Sequence, residues 1–366
     1  MDDDDDDDSI PPLMATYRHL LEGSSPGLRV DADVDKDGDD DLPAIDLAGL
    51  LQGGGDAAAA EAAIVRAALE WGFFTVTNHG VPRALLDAVL LRAARARVFR
   101  RPFARKAAAP LPGFAPESYR WGTPTARSLD QLSWSEAYHI PLSGAGQHQT
   151  TVGVEDDDED DRATRLVIED VATAMSKLAQ RLARVLVAGM QQGDNENDED
   201  DEVVTRCTRD TCFLRLNRYP PCPPRTDNGI GVFGLCPHTD SDFLTILHQD
   251  GVGGLQLRRD DGRWVAVRPN RGALVVNVGD LLQARSNDRY RSVEHRVVAS
   301  AENERFSVAF FLCPTDDAAI RPRGRGGGGE APRYKTFTFG EYRDQVREDV
   351  RVTGRKLGLQ RFRMSS

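Results

Sequence analysis

His238-Thr239-Asp240 sets an imidazole and a carboxylate two residues apart. In an extended segment residues i and i+2 point to the same face, so both side chains can reach one ion. A third donor, His295, follows 55 residues after Asp240 inside the strand-like run SVEHRVVAS. Two imidazoles and one carboxylate on one face of an octahedral ion make the facial triad used by non-haem Fe(II) oxygenases. Such a triad leaves three positions open, two for a bidentate 2-oxo acid and one for O2. A His-x-Asp pair alone arises often by chance. Ten residues beyond His295, Arg305-Phe306-Ser307 adds a guanidinium and a hydroxyl on one face of a further strand. That pair suits a buried carboxylate, because a guanidinium meets one with a planar fork of donors.

The elements that must carry these residues are short strands. After residue 210 the runs CFLRLNRY, FLTILHQ, GLQLR, RWVAVR, ALVVNVG, SVEHRVVAS and RFSVAFFL follow in quick succession. The turn signals DGVGG, DDGR and PNRG separate them. Many short strands without intervening helices argue for a sandwich or barrel, and strand-borne metal ligands favour a cupin-like jelly roll, the double-stranded β-helix. The whole chain then reads as mixed α/β, with a helical layer before this core and a helix after it. Residues 1–41 read as a disordered acidic segment, 42–205 as a mainly helical domain, 206–316 as the catalytic β domain and 317–366 as a glycine-rich loop and closing helix. In the helical part, Asp56 is placed to cap AAAAEAAIVRAALEWG, and RALLDAVLLRAARARVF follows Pro82. An amphipathic helix is expected over 161–190, with Leu166, Val171, Leu178, Leu182 and Val185 near one face. Gly324, Gly326 and Gly329 satisfy G-x-G-x-x-G, but no βαβ unit surrounds them and prolines flank the tract, so they read as a loop.

Composition narrows the functional classes. The formal net charge of -12 comes from four acidic tracts, 2–8, 31–41, 155–161 and 194–202, which hold 28 of the 58 acidic residues. Outside them 30 acids face 45 lysines and arginines, so the remainder is mildly basic. Like-charge blocks repel themselves and stay solvated. No basic patch is interleaved with aromatics, which argues against nucleic acid. Five cysteines without a CxxC pair suit free thiols in a reducing compartment. An acidic N-terminus and the lack of a long apolar run speak against a signal peptide or membrane span. The chain reads as cytoplasmic, with no obligate protein partner in evidence.

The stretches LPAIDLAGLL, WGFFTVTNHGVP, LNRYPPCP, HTDSDFLTILHQDGVGGLQL, ALVVNVGDLLQARSNDRYRSVEHRV and RFSVAFFLCP stand in order over about residues 42–350. In them the chain resembles the plant 2-oxoglutarate-dependent dioxygenases. The resemblance implies Fe(II), 2-oxoglutarate as co-substrate, O2, and ascorbate supporting activity. It matches His238, Asp240 and His295 to the iron ligands, and Arg305 and Ser307 to the pair gripping the distal carboxylate of 2-oxoglutarate. Asn217 and Tyr219, in Asn-x-Tyr-Pro-x-Cys, look like further co-substrate contacts, although Tyr219 fits a plain core aromatic equally well.

Residues 118–142, SYRWGTPTARSLDQLSWSEAYHIPL, are similar to the stretch seen in gibberellin 2-oxidases that act on twenty-carbon gibberellins. The implied reaction is 2β-hydroxylation, which inactivates the hormone's precursors. A pocket for these apolar acids needs aromatic walls and a few polar anchors. Tyr119, Trp121, Trp134 and Tyr138 are candidates for the walls, and Arg120 or His139 for an anchor. The tryptophans also fit plain packing of the helical layer onto the barrel. Rival readings are a related dioxygenase acting on a flavonoid, an alkaloid or another gibberellin position, a non-catalytic relative, and a zinc hydrolase. The last leaves Arg305 and Ser307 without a task.

Overall fold

The computed structural model describes residues 7–22, 41–52, 56–108, 118–143, 159–190, 204–222, 232–323 and 331–364. Most of the acidic tracts, His148 and the glycine tract after Arg323 lie outside them.

Twelve strands form two sheets: β1 Ala44–Asp46, β2 Phe73–Thr77, β3 Tyr119–Trp121, β4 Glu136–Pro141, β5 Phe213–Tyr219, β6 Phe233–His238, β7 Leu244–Gln249, β8 Leu255–Arg258, β9 Trp264–Ala266, β10 Leu274–Val278, β11 His295–Val298 and β12 Arg305–Leu312. The large sheet runs β1-β2-β10-β7-β12-β5-β4-β3, and the small one β6-β11-β8-β9. Their facing sides share a cluster of Phe73, Tyr219 and Val275 with Leu255, Leu257 and Val297. This is the expected jelly roll. The division expected at residue 205 does not separate two folded bodies, because β1 to β4 all lie before it and complete the large sheet.

Alternation along each strand decides what each face carries. On β12, Phe306, Val308, Phe310 and Leu312 point back into the main hydrophobic core. Leu214 and Leu216 of β5 and Leu244 and Ile246 of β7 join them there. The helix Glu159–Met190 covers this back through Ile168, Val171, Met175, Leu178, Leu182 and Leu186. Leu166, expected on its buried face, is 50% exposed, because it lies two residues, about 200° of helical turn, from Ile168. The segment after Pro82 is α-helical over Arg83–Asp87 and π-helical over Ala88–Val98. Asp56 sits at the helix cap position but makes no side-chain capping bond.

Residues 7–22 correct the expectation of disorder up to residue 41. A helix, Leu13–Leu21, buries Leu13, Tyr17 and Leu21 against Leu132 and Trp134. Below it Asp7 and Ser9 reach the buried Arg218 of β5.

The C-terminal helix Phe339–Thr353 starts with a capping box between Thr338 and Glu341. It ends on Gly354 at φ 71°, the left-handed conformation that glycine adopts without a Cβ penalty.

Candidate active site

Register brings the predicted ligands together. β6 and β11 are antiparallel, with His238 directly opposite His295. Their ring centroids are 4.3 Å apart. Each Nε2 stands 3.7 Å from Oδ1 of Asp240, just beyond the end of β6. One donor atom from each residue lies within 4.8 Å of the others.

The surroundings aim all three donors. His238 Nδ1 is 2.8 Å from the carbonyl of Cys236, and His295 Nδ1 is 3.1 Å from that of Val293. Nδ1–H donating to a carbonyl fixes the tautomer that leaves the Nε2 lone pair free for a metal. Phe73 of β2 meets the His295 ring edge-on at 5.3 Å. Oδ2 of Asp240 accepts hydrogen bonds from Thr245 Oγ1 at 2.6 Å and Asn277 Nδ2 at 2.7 Å, leaving Oδ1 to face the imidazoles. Burial, with the charge of His295 beside it, pushes the pKa of His238 down to about 3. For Asp240 burial works the other way, but the two imidazoles and the Thr245 and Asn277 bonds outweigh it and bring the pKa to about 2. Two imidazole donors, one of them neutral well below pH 7, and an ionised carboxylate are a fitting set for Fe(II).

The loop 239–242 rests on the short helix Asp280–Arg285, whose Asp280 amide donates to the carbonyl of Asp240. A Cβ on Gly279 would lie 2.2 Å from Asp242 Oδ1, so only glycine allows this approach. Asp280 also holds the far C-terminus. Its Oδ2 accepts from Thr239 Oγ1, lies 2.6 Å from Lys356 Nζ and binds the Tyr342 hydroxyl. Lys356 Nζ donates to the Thr239 carbonyl as well.

β12 and β5 pair Arg305 with Tyr219 and Ser307 with Asn217. Arg305 Nη2 donates to Gln249 Oε1 at 2.9 Å, and its guanidinium lies 4.9 Å from the centre of the Tyr219 ring. Asn217 Nδ2 donates to Ser307 Oγ at 3.2 Å. Arg305 is only 2% exposed, and its Nε finds no partner among the described residues. Among the described residues its charge is met by neutral dipoles and a ring, an arrangement suited to an incoming anion.

Both groups open into a cavity of about 810 Å³ between the sheets. The stretch 118–142 largely turns away from it. Trp134 is buried against the N-terminal helix, and Trp121 packs beside it. Tyr119 donates to Glu136, and Tyr138 lies between Phe99 and Tyr119 in the core. Arg120 is exposed on the edge strand β3. The cavity wall takes only His139 from the six candidates, with Pro141 beside it. The wall instead includes Phe213, Arg215, Ala309 and Phe311, and from the C-terminal helix Phe339, Arg343, Val346 and Val350. Continuing the two-residue period from Asn217 and Ser307 marks the strand residues, and helical spacing marks the others.

A family model described as the 2OG-Fe(II) oxygenase superfamily matches residues 211–314, and one described as non-haem dioxygenase in morphine synthesis N-terminal matches 42–159. Gibberellin 2-beta-dioxygenase 5 of Oryza sativa subsp. japonica is 54% identical over 97% of either chain. The chain belongs to the 2OG-Fe(II) oxygenase superfamily. Gibberellin 2-beta-dioxygenase 8 of Arabidopsis thaliana is 45% identical over 88% of this oxygenase and 87% of its own length. The crystal structure of JOX2 in complex with 2OG, Fe, and JA superposes with a TM-score of 0.68 at 31% identity, covering 95% of this oxygenase and 97% of that chain. This oxygenase is thus an Fe(II)- and 2-oxoglutarate-dependent dioxygenase. Among the described residues no helix is long and apolar enough to cross a membrane.

Proposed function

We propose that this dioxygenase hydroxylates gibberellins at the 2β carbon, with twenty-carbon precursors preferred, and so withdraws them from the active hormone pool. The observation that carries this reading is the end-to-end similarity to gibberellin 2-beta-dioxygenases. In it, His238, Asp240 and His295 hold Fe(II). Arg305 and Ser307 grip the distal carboxylate of 2-oxoglutarate, with Asn217 and Tyr219 behind them. The five described cysteines are all free, which suits a cytoplasmic enzyme.

The bound iron supplies O2 activation coupled to decarboxylation of 2-oxoglutarate, giving succinate, CO2 and one hydroxyl group on the substrate. The chain supplies placement. Ser307 Oγ accepts from Asn217, so its own proton is free to donate to the co-substrate. The Tyr219 ring supports the plane of the Arg305 fork. Phe73, Leu235, Leu247, Leu255 and Val297 wall the chamber and exclude water around the reacting carbon.

The test is incubation with Fe(II), ascorbate, 2-oxoglutarate and matched twenty- and nineteen-carbon gibberellins, with products identified by mass spectrometry. A 2β-hydroxylated twenty-carbon product is expected. Turnover of a flavanone with every gibberellin untouched would reject the assignment.

A further inference from the structure

The cavity-facing side of the large sheet is arranged in rows. Tyr219 and Arg305 form one, Asn217 and Ser307 with Gln249 the next, and His139, Arg215, Ala309 and Leu247 the third. Arg215 therefore stands on the same side of β5 as Asn217 and Tyr219 and lines the cavity. Four residues of strand, about 14 Å, separate it from the Arg305 row. One small dicarboxylic acid seated at Arg305 does not account for a second guanidinium so far along the wall.

Arg215 also lacks a partner. It is half-buried, its Nε is shielded from solvent without an acceptor, and no hydrogen bond or ion pair to it occurs among the described residues. The carboxylates on the same wall are engaged elsewhere. Asp240 faces the imidazoles, Asp242 shares the Thr245 hydroxyl, Asp210 lies 3.8 Å from Arg209 and Asp316 is 3.0 Å from Arg343. The row's other polar member, His139, lies 4.2 Å from the Phe213 ring, and burial with Arg215, Arg343 and Arg120 nearby lowers its pKa to about 4. It is uncharged at neutral pH, so it neither competes for an anion nor neutralises one. Ala309, the smallest side chain of the row, leaves space beside Arg215, and Phe213, Phe311 and Val346 supply apolar walls around it.

We propose that Arg215 is the seat for a carboxylate on the primary substrate, fixing which edge of its apolar skeleton is turned toward the His238–Asp240–His295 centre. This deepens the gibberellin reading and rests on it for the identity of the acid. The requirement for an acid is itself independent of that name.

The experiment compares a gibberellin acid with its methyl ester on the wild type, Arg215→Met and Arg215→Lys, measuring kcat, the KM for substrate and the KM for 2-oxoglutarate. The wild type should prefer the acid. Arg215→Met should raise the KM for the acid about 30-fold or more, leave that for the ester unchanged, and leave the KM for 2-oxoglutarate unchanged. Arg215→Lys should fall between, since an ammonium keeps the charge but not the fork. A raised KM for 2-oxoglutarate would assign Arg215 to the co-substrate instead. Equal losses for acid and ester, or no loss for either, would overturn the seat. If Arg215→Met does not fold, equal wild-type KM values for acid and ester would still overturn it. If the wild type turns over no gibberellin, the gibberellin reading fails by itself. The acid and ester of whichever hydrophobic carboxylate it hydroxylates then decide the role of Arg215, and turnover of neutral compounds alone would refute it.

Discussion

Two of the almost wholly buried guanidinium groups of this oxygenase, on the neighbouring strands β5 and β12, have surroundings that differ in kind. Arg218, 0% exposed, points to the back of β5. It binds Glu136 at 3.0 Å and Glu304 through Nε at 2.8 Å, with Asp7 at 3.3 Å and the Ser9 hydroxyl at 3.0 Å. Burial works against its charge, yet Glu136 and Glu304 hold its pKa above the ordinary arginine value. Arg305, on the cavity side of neighbouring β12, has Gln249, Ser307 and the Tyr219 ring, and among the described residues no carboxylate. A buried charge matched inside the fold is structural. A buried charge left without a counter-ion marks where a ligand belongs.

That contrast can be broken by substitution. Arg218→Met should cost about 3–5 kcal/mol of folding stability, because Glu136 and Glu304 lose the guanidinium between them, with Lys106 left for the former and the half-exposed Arg100 for the latter. Thermal or urea unfolding reads this, and a near-wild-type midpoint would erase the distinction. Arg305→Met should do the reverse. Its unfolding midpoint should hold or rise, while affinity for 2-oxoglutarate falls by about 2–5 kcal/mol, followed by co-substrate titration. A large loss of stability there would mean that Arg305 also supports the fold. Arg305→Lys sharpens the point, with a weaker rise in the 2-oxoglutarate requirement, since a point charge cannot reproduce the fork. The smallest effect is at Asp7, whose carboxylate is 41% exposed. Asp7→Ala should cost about 0.2–1 kcal/mol at neutral pH. Burial raises the pKa of Asp7, but its bonds to Ser9 and the charges of Arg218 and Arg100 bring it below the usual 3.8. Its contribution is therefore complete above that value and fades as pH falls through the lowered one. Urea unfolding of wild type and variant at pH 7 and pH 3 should show the difference shrinking in acid.

The chemistry was more legible in the sequence than its support. His238 and Asp240, and Arg305 and Ser307, share faces by the two-residue period alone, and that period needs no tertiary knowledge. The pairing of His238 with His295, and of Arg305 with Tyr219, depends on register, which side-chain types do not state. Thr245 and Asn277, which orient Asp240, carry no sequence signal of that task for the same reason. The stretch 118–142 misled because EAYHIP in β4 has no clear alternation. Its bulky Tyr138 faces the core, while His139 takes the cavity side. The acidic run and paired prolines before Leu13 hid a helix whose Leu13, Tyr17 and Leu21 recur every four residues.

The closing wall of the cavity, Phe339 to Val350, and the Lys356 that braces Thr239 are translated well after the metal-binding loop and after the last strand of the two sheets. All twelve strands of the two sheets therefore precede, in order of synthesis, the helix that closes one side of the reaction chamber. Until that helix and Lys356 are made, loop 239–242 lacks its brace from Lys356 and Tyr342 through Asp280. Termination between Leu312 and Phe339 would leave all twelve strands in the chain but remove the closing wall of the cavity and the brace on loop 239–242.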